Sequence, residues 1–384
     1  MDTIALLDRL IAFPTISHLS NRPLIDFCAD LLRAAGADVR IIEDSTGQKA
    51  NLYATIGPRD RPGVLLSGHT DVVPTEGQNW TVPPFELTER DGRLYGRGTT
   101  DMKGFVAAAL ALALRAARLP LQTPLHLALS HDEEVGCVGV RSLIAMLAEA
   151  EIRPRLCLVG EPTLMALATG HKGKTFLKAT CTGREAHSSL APEALNAVHL
   201  ACDTVRLIRD LQNEVIASGV TDPAYDVPYT TLHVGQLSGG VALNIVPNHA
   251  EIIFEIRNLM GDDPAAMLDT LRTRLAAHLA PLRNDFPEAA VDIVETGGYP
   301  ALDTPQDADV VGFAKALTGA NATLKVAYGT EAGLFSEHLA LPTVVCGPGS
   351  IAQAHKPDEY VTRDQLAHCD AMLDGLLVRL QSGL

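Results

Sequence analysis

The stretch Gly63-Val64-Leu65-Leu66-Ser67-Gly68-His69-Thr70-Asp71 decides how this chain is read. Gly63–Ser67 is a short, nearly continuous apolar run, the pattern of an interior strand rather than a half-exposed one. It ends directly in polar residues. In extended backbone, residues two apart face the same side, so His69 and Asp71 can act together. A metal-bound histidine commonly donates its second ring N–H to a carboxylate. A histidine and an aspartate that merely close a loop fit the pair equally well.

Outward from this stretch, helix and strand patterns alternate. A helix to about Ala12 and another around Pro23–Ala35 precede strands at Asp38–Glu43 and Asn51–Ile56. Beyond it come a small-residue helix (Met102–Arg118), a strand (Pro124–Ser130), a helix (Val138–Ala150) and a strand (Leu156–Gly160). This order predicts an α/β fold, a sheet flanked by helices. From about Lys172 the texture changes: strand Lys174–Thr182, helix Ala194–Val215, strands Tyr229–Leu237 and Ala250–Asn258, helix Pro264–Leu279 and strand Val291–Glu295. That is the order of an α+β split βαβ layer. Helix Ala308–Thr318, strand Thr343–Cys346 and helix Arg363–Gln381 then restore the first texture. The expectation is a discontinuous larger domain, residues 1–171 and 286–384, with a smaller one inserted at 172–285.

Four further clusters resemble the end of the first strand. Tyr95-Gly96-Arg97-Gly98-Thr99-Thr100-Asp101-Met102-Lys103-Gly104 places Asp101 just before a helix, where an N-cap role also suits it. Its glycines match no phosphate-binding fingerprint, and no strand is expected to lead into them. His131-Asp132-Glu133-Glu134-Val135-Gly136 closes strand Pro124–Ser130; as a bare sequence it reads first as a solvated turn, but the apolar strand before it brings the acids close to the carboxyl edge of the sheet. Leu156–Val159 runs into Gly160-Glu161-Pro162, and Thr343–Cys346 into Gly347-Pro348-Gly349-Ser350 and a loop with His355. Together these put two histidines and several carboxylates at the carboxyl ends of interior strands, where open α/β sheets bind ligands. Nitrogen and carboxylate donors without thiolate suit zinc, manganese or cobalt. Two divalent ions would be balanced by Asp101, Glu134, Glu161 and a hydroxide.

Composition agrees with a small-molecule enzyme. The 384 residues carry a formal net charge of −15, with 47% hydrophobic and 20% charged side chains. Such an acidic surface argues against nucleic acid and against an anionic membrane. The longest apolar run, Phe105–Leu114, is about half of the roughly 20 residues that span a bilayer. The start MDTIALLDRLIAFPTIS lacks a basic, cleavable leader, so a cytoplasmic protein is expected. Seven scattered cysteines (28, 137, 157, 181, 202, 346 and 369) suggest neither a disulfide framework nor a thiolate zinc site.

In this order, His69-Thr70-Asp71-Val72-Val73-Pro74, Gly96-Arg97-Gly98 through Asp101-Met102-Lys103-Gly104, Asp132-Glu133-Glu134 with Gly136, Gly160-Glu161-Pro162 and the late His355 resemble the M20 family of metallo-amidohydrolases. Within the family, Gly170-His171-Lys172-Gly173, Ala186-His187-Ser188-Ser189, Tyr328-Gly329-Thr330-Glu331-Ala332-Gly333 and Ala354-His355-Lys356-Pro357 are most similar to the branch that deacetylates N-acetylornithine. The resemblance implies a zinc-exopeptidase-like catalytic domain with a mixed sheet, and an inserted ferredoxin-like domain serving as lid and homodimer interface. It implies two divalent ions, zinc first and cobalt or manganese next. Asp101 would bridge them, His69 and Glu161 would complete one shell, and Glu134 and His355 the other. Glu133 would be the general base, Asp71 would orient His69, and His187 would donate to the carbonyl oxygen in the transition state.

The implied reaction is hydrolysis of an N-acyl amino acid, N2-acetyl-L-ornithine first, with N-acetylcitrulline, an N-acetyl-diamino acid, N-succinyl-diaminopimelate or a dipeptide as alternatives. A non-catalytic amino-acid or metal binding protein is the alternative from another class, and it predicts a missing base or ligand where every one is present. Arg257, at the end of strand Ile252–Ile256, has the fork that suits an α-carboxylate, although Glu255 or Glu251 can pair with it instead. Asn244, after Gly239-Gly240, is placed to assist it. Glu331, between Gly329 and Gly333, is expected to face the substrate's ammonium or else to be a hydrated loop carboxylate.

Overall fold

The computed structural model describes residues 1–384 and divides into two units. The larger comprises Met1–Gly170, Leu302–Lys325 and Thr330–Leu384; the smaller comprises His171–Ala301 and Val326–Gly329.

The larger unit is built on a mixed sheet. Its strands run, in spatial order, Asp38–Glu43, Ala50–Ile56, Leu125–Ser130, Val64–His69, Leu156–Pro162, Thr343–Gly347, Ala168–His171 and Leu302–Asp303, with Leu324–Val326 paired to Ala168–His171. The four from Leu125–Ser130 to Thr343–Gly347 are mutually parallel, and every residue in them is buried. Such strands need cover on both faces. One face is covered by Lys103–Ala116, against which helices Thr3–Ile11 and Arg363–Ser382 pack. Apart from its last turn this helix is buried on all sides, as expected of an apolar helix inside a core. The packing is close: a Cβ on Gly160 would lie 1.9 Å from the Phe105 ring, so only glycine fits next to Glu161. Val140–Ala148 and Ala332–Leu339 pack on the other face and against each other. Because side chains alternate along a strand, Gly68 faces Met102 and Val106 whereas Ser67 turns to Glu331, at the start of Ala332–Leu339.

The smaller unit is a four-stranded antiparallel sheet in the order Thr231–Gly239, His249–Arg257, Lys174–Thr182, Ala290–Tyr299. Alternating residues, among them Leu177, Ala179, Cys181, Ala250, Ile252, Phe254 and Ile256, form its core with helices Ala197–Ser218 and Pro264–Leu282. Both helices start at a side-chain cap: Asn196 accepts from Val198 N, and Asp263 from Ala265 N. Strand–helix–strand–strand–helix–strand is the split βαβ order.

The second domain boundary differs from the expected 285. Ala290–Tyr299 pairs with Lys174–Thr182 along its whole length, so the smaller unit continues to Ala301. A strand hydrogen-bonded to the middle of a sheet cannot belong to another core. Strand Arg93–Tyr95, absent from the sequence reading, leads into Gly96 and pairs with Thr88–Arg90 and Tyr360–Thr362. No helix is long and apolar enough to cross a membrane.

Candidate metal-binding active site

All five candidate ligands belong to the larger unit. His69 and Glu161 end neighbouring parallel strands, Glu134 follows the strand beside them, Asp101 precedes the buried helix, and His355 lies in the loop after Thr343–Gly347. Asp101 is at the centre. His69 Nε2 approaches its Oδ1 at 3.1 Å, and His355 Nε2 approaches its Oδ2 at 3.3 Å. Glu161 Oε1 stands 3.8 Å from His69 Nε2, and Glu134 Oε2 stands 3.0 Å from His355 Nε2. Asp101 does not cap the helix it precedes, because its carboxylate is turned to the imidazoles and Met102 occupies the cap position without a side-chain bond.

The donor set fits a cation. His69 Nδ1 lies 3.0 Å from the main-chain carbonyl of Asp71, which can only accept, so Nδ1 carries the proton. A neutral ring then turns the lone pair of Nε2 toward carboxylate oxygens, which is repulsive unless a cation lies between them or the ring itself is protonated. Three of the surrounding acids are held in their protonated range, whereas the two imidazoles hold Asp101 down. Burial, reinforced by Asp101, pushes Glu134 up to about 7 and Glu161 well above the carboxylate range. Burial also lifts Glu133 well above that range, with Glu134 and Asp101 adding to it against the pull of His69. Hydrogen bonds to Asp101 and Glu134 push His355 up to about 10. Two groups bring ligand atoms within 4.8 Å of one another: His69, Glu133 and Glu161, and His69, Asp101 and Glu134.

Residues around the cluster fix it. Asp71 Oδ1 accepts Glu133 N–H at 3.1 Å, and its Oδ2 accepts Glu134 N–H at 3.3 Å and Ser17 Oγ–H at 2.7 Å. Its carboxylate is 3.5 Å from His69 Nδ1, farther than its own carbonyl, so Asp71 holds the ring chiefly through its main chain. The Cys137 thiol donates to Glu133 Oε1 at 3.3 Å. Asp132 and Cys137 have φ of 56° and 55°, left-handed backbone that non-glycine residues tolerate where the surroundings enforce it. Lys103 does not reach the cluster; its Nζ is spent on the carbonyls of Leu10 and Phe13.

The profile of Peptidase family M20/M25/M40 matches residues 65–379, which takes in every one of these ligands. The chain is 36% identical over 380 residues to an acetylornithine deacetylase of Myxococcus xanthus, covering 96% of this chain and 95% of that one.

The chain belongs to peptidase family M20/M25/M40.

A second relative, an acetylornithine deacetylase of Photorhabdus laumondii, is 35% identical over 93% of this chain and 92% of its own. The fold is that of the M20 family metallo-carboxypeptidase Sso-CP2 from Sulfolobus solfataricus: the TM-score is 0.79 at 19% identity, with 99% of each chain covered. This M20 chain is accordingly a hydrolase.

The remaining candidates fall elsewhere. Glu331 is only 1% exposed, and its carboxylate is held by the hydroxyls of Ser130 and Ser67, the latter at 3.4 Å. Burial pushes it up to about 7. It is therefore neither a hydrated loop carboxylate nor, in this conformation, open to a substrate ammonium. His187, Asn244 and Arg257 belong to the smaller unit. His187 is exposed, with Nδ1 2.8 Å from Ser189 Oγ. Ser188 N–H donates to the Asn244 carbonyl at 3.0 Å and His187 bridges to Ile245, so these two loops meet. Arg257 pairs with Glu255 at 2.7 Å. Asn244 follows strand Thr231–Gly239, whose Gly239 pairs with Ala250, whereas Arg257 pairs with Thr231 at the other end. Seven residues of strand, about 24 Å, separate the two ends. The expected help of Asn244 to Arg257 is thus ruled out within one copy.

Proposed function

We propose that this hydrolase cleaves the amide bond of N2-acetyl-L-ornithine, giving L-ornithine and acetate, with two divalent ions, zinc foremost, bound by its larger unit. The observation that carries the reading is Asp101, whose two oxygens each face one imidazole while Glu161 and Glu134 flank them. The relatives named for this activity, at 35–36% identity over nearly the whole chain, favour the substrate.

His69, Asp101 and Glu161 would hold one ion, and Asp101, Glu134 and His355 the other. Ions held there would supply Lewis acidity to the scissile carbonyl and acidify a water near neutral pH. Glu133 takes the proton of the attacking water and passes it to the leaving amine. A carboxyl lifted by burial is suited to keep that proton between the two events. Asp71 holds Glu133 and Glu134 through their main-chain N–H groups, and Cys137 restrains one Glu133 oxygen. We assign His187 to the oxyanion of the substrate and Arg257 to its α-carboxylate. Asn244 goes with His187, and the separation of this pair from Arg257 within one smaller unit favours a homodimer that supplies them from different copies.

Acyl-substrate profiling of the metal-loaded protein tests the reading. The expected result is acetate release from N-acetylornithine at a kcat/KM well above those for N-acetylcitrulline, N-succinyl-diaminopimelate and dipeptides. A higher value for a dipeptide or for the succinyl substrate would overturn it. Sedimentation of the purified chain as a monomer at assay concentration would remove the dimer.

A further inference from the structure

Four residues beyond His355, the carboxylate of Glu359 is buried in the loop that leads to Asp101. Its Oε1 accepts the N–H groups of Thr100 at 2.9 Å and Asp101 at 3.1 Å. Its Oε2 accepts Gly98 N–H at 3.0 Å and Arg97 Nη1 at 2.8 Å. Four donors fill the acceptor capacity of one carboxylate, and the backbone of residues 98–101 curls round it as a nest. Both charged side chains are 1% exposed.

Arg97 continues the chain of contacts. Its Nη2 donates to Gln78 Oε1 at 2.5 Å, its guanidinium lies over the Trp80 ring, and Gln78 Nε2 donates to the main-chain carbonyl of His355 at 3.0 Å. Arg97 Nη1 also reaches the Lys356 carbonyl at 3.3 Å. His355 itself has a φ of 62°, in the left-handed region. One closed ring thus joins the main chain of Asp101, through Glu359, Arg97 and Gln78, to the main chain of His355. The side chains of these two residues meet at 3.3 Å.

We infer that Glu359 is a positioning residue: with Arg97 and Gln78 it holds Asp101 and His355 at the separation needed to share one divalent ion, and so sets the affinity for that ion. It touches neither ion nor substrate. The inference rests on the metal reading above, and it concerns this chain's own residues.

Glu359→Gln is the sharpest change. Whichever way the amide turns, its NH2 group faces two N–H donors. The neighbouring backbone has anchors besides the side chain: Tyr360–Thr362 pairs with Arg93–Tyr95, and Gly96 N–H donates to the Glu359 carbonyl at 2.9 Å. Gln78→Ala is the milder partner, removing the link to His355 from a half-buried position. Metal-free protein is titrated with Co2+, followed by visible absorption and by equilibrium dialysis, and its folding is checked by circular dichroism and thermal unfolding. The expected result is two bound equivalents for the unaltered chain, with one of them weakened about 10–100-fold in Glu359→Gln, as for other partners behind metal ligands. Gln78→Ala should show a smaller loss in the same direction. A Glu359→Gln chain that melts earlier but keeps both affinities and the Co2+ spectrum would overturn the inference, since Glu359 would then be structural only. Failure of the unaltered chain to bind Co2+ stoichiometrically would instead overturn the metal reading, and the inference with it.

Discussion

The carboxylate of Asp71 accepts the main-chain N–H of Glu133 at 3.1 Å, so the residue that backs His69 also holds the turn carrying the proposed base and its neighbour Glu134. Asp71→Asn keeps the shape but removes the charge and half of the acceptor capacity. We expect metal affinity to fall about 10–100-fold through Glu134, whose N–H the carboxylate holds, and turnover to fall further at saturating metal, because the Glu133 N–H is held less firmly. Equilibrium dialysis beside steady-state rates measures both; a variant with reduced affinity but full turnover when loaded would detach Asp71 from Glu133.

Glu133→Gln separates proton transfer from ion binding. Turnover should drop about 10²–10⁴-fold, the usual worth of a general base, while metal content stays at the level of the unaltered chain. Elemental analysis of the dialysed variant is the check. Retention of most of the activity would take the role of base away from Glu133.

Glu331 makes a prediction opposite to the one its glycine-flanked position suggests. With its carboxylate held by Ser130 and Ser67 and 1% exposed, it is a support beneath the strand ends. Glu331→Gln should lower kcat/KM for N-acetylornithine and for its uncharged analogue N-acetyl-norvaline by the same factor. A selective loss for N-acetylornithine would put Glu331 back at the substrate ammonium.

His126 links stability to acid. The ring is buried, its Nδ1 is met by the hydroxyls of Tyr53 at 2.8 Å and Thr55 at 3.1 Å, and burial pushes it from 6.5 down to about 4. Between those values the unfolded chain binds a proton that the folded chain does not, so its contribution is intact above pH 6.5 and is lost as pH falls toward 4. The full loss is about 3 kcal/mol. Urea unfolding of metal-free protein at pH 7, 6 and 5 should show a steeper decline for the unaltered chain than for His126→Gln; parallel declines would exclude the ring.

What the sequence revealed follows from what is local in it. His69, Glu134 and Glu161 are each attached to an apolar strand that parallel pairing must bury, so their convergence is legible from strand ends alone. The split βαβ order could be read because each helix and strand carries its own periodicity. The ring from Asp101 to His355 could not be read, since Glu359 meets Asp101 across 258 positions and no local pattern sets that pairing. Strand Arg93–Tyr95 has three residues, too few for periodicity to register. Ser17, which donates to Asp71, lies in irregular backbone far upstream. The distance between Asn244 and Arg257 depends on strand register, and the placement of Glu331 on which face of the sheet its helix covers. Both are tertiary facts.

Every candidate ion ligand and the proposed base come from the larger unit, whereas Arg257, His187 and Asn244 come from the smaller. The donors proposed for the ions and the proposed base are therefore encoded apart from the residues proposed to meet the substrate. On the proposed roles, drift in residues 171–301 that spares His187 would alter what meets the substrate while every ion donor and the base are inherited unchanged.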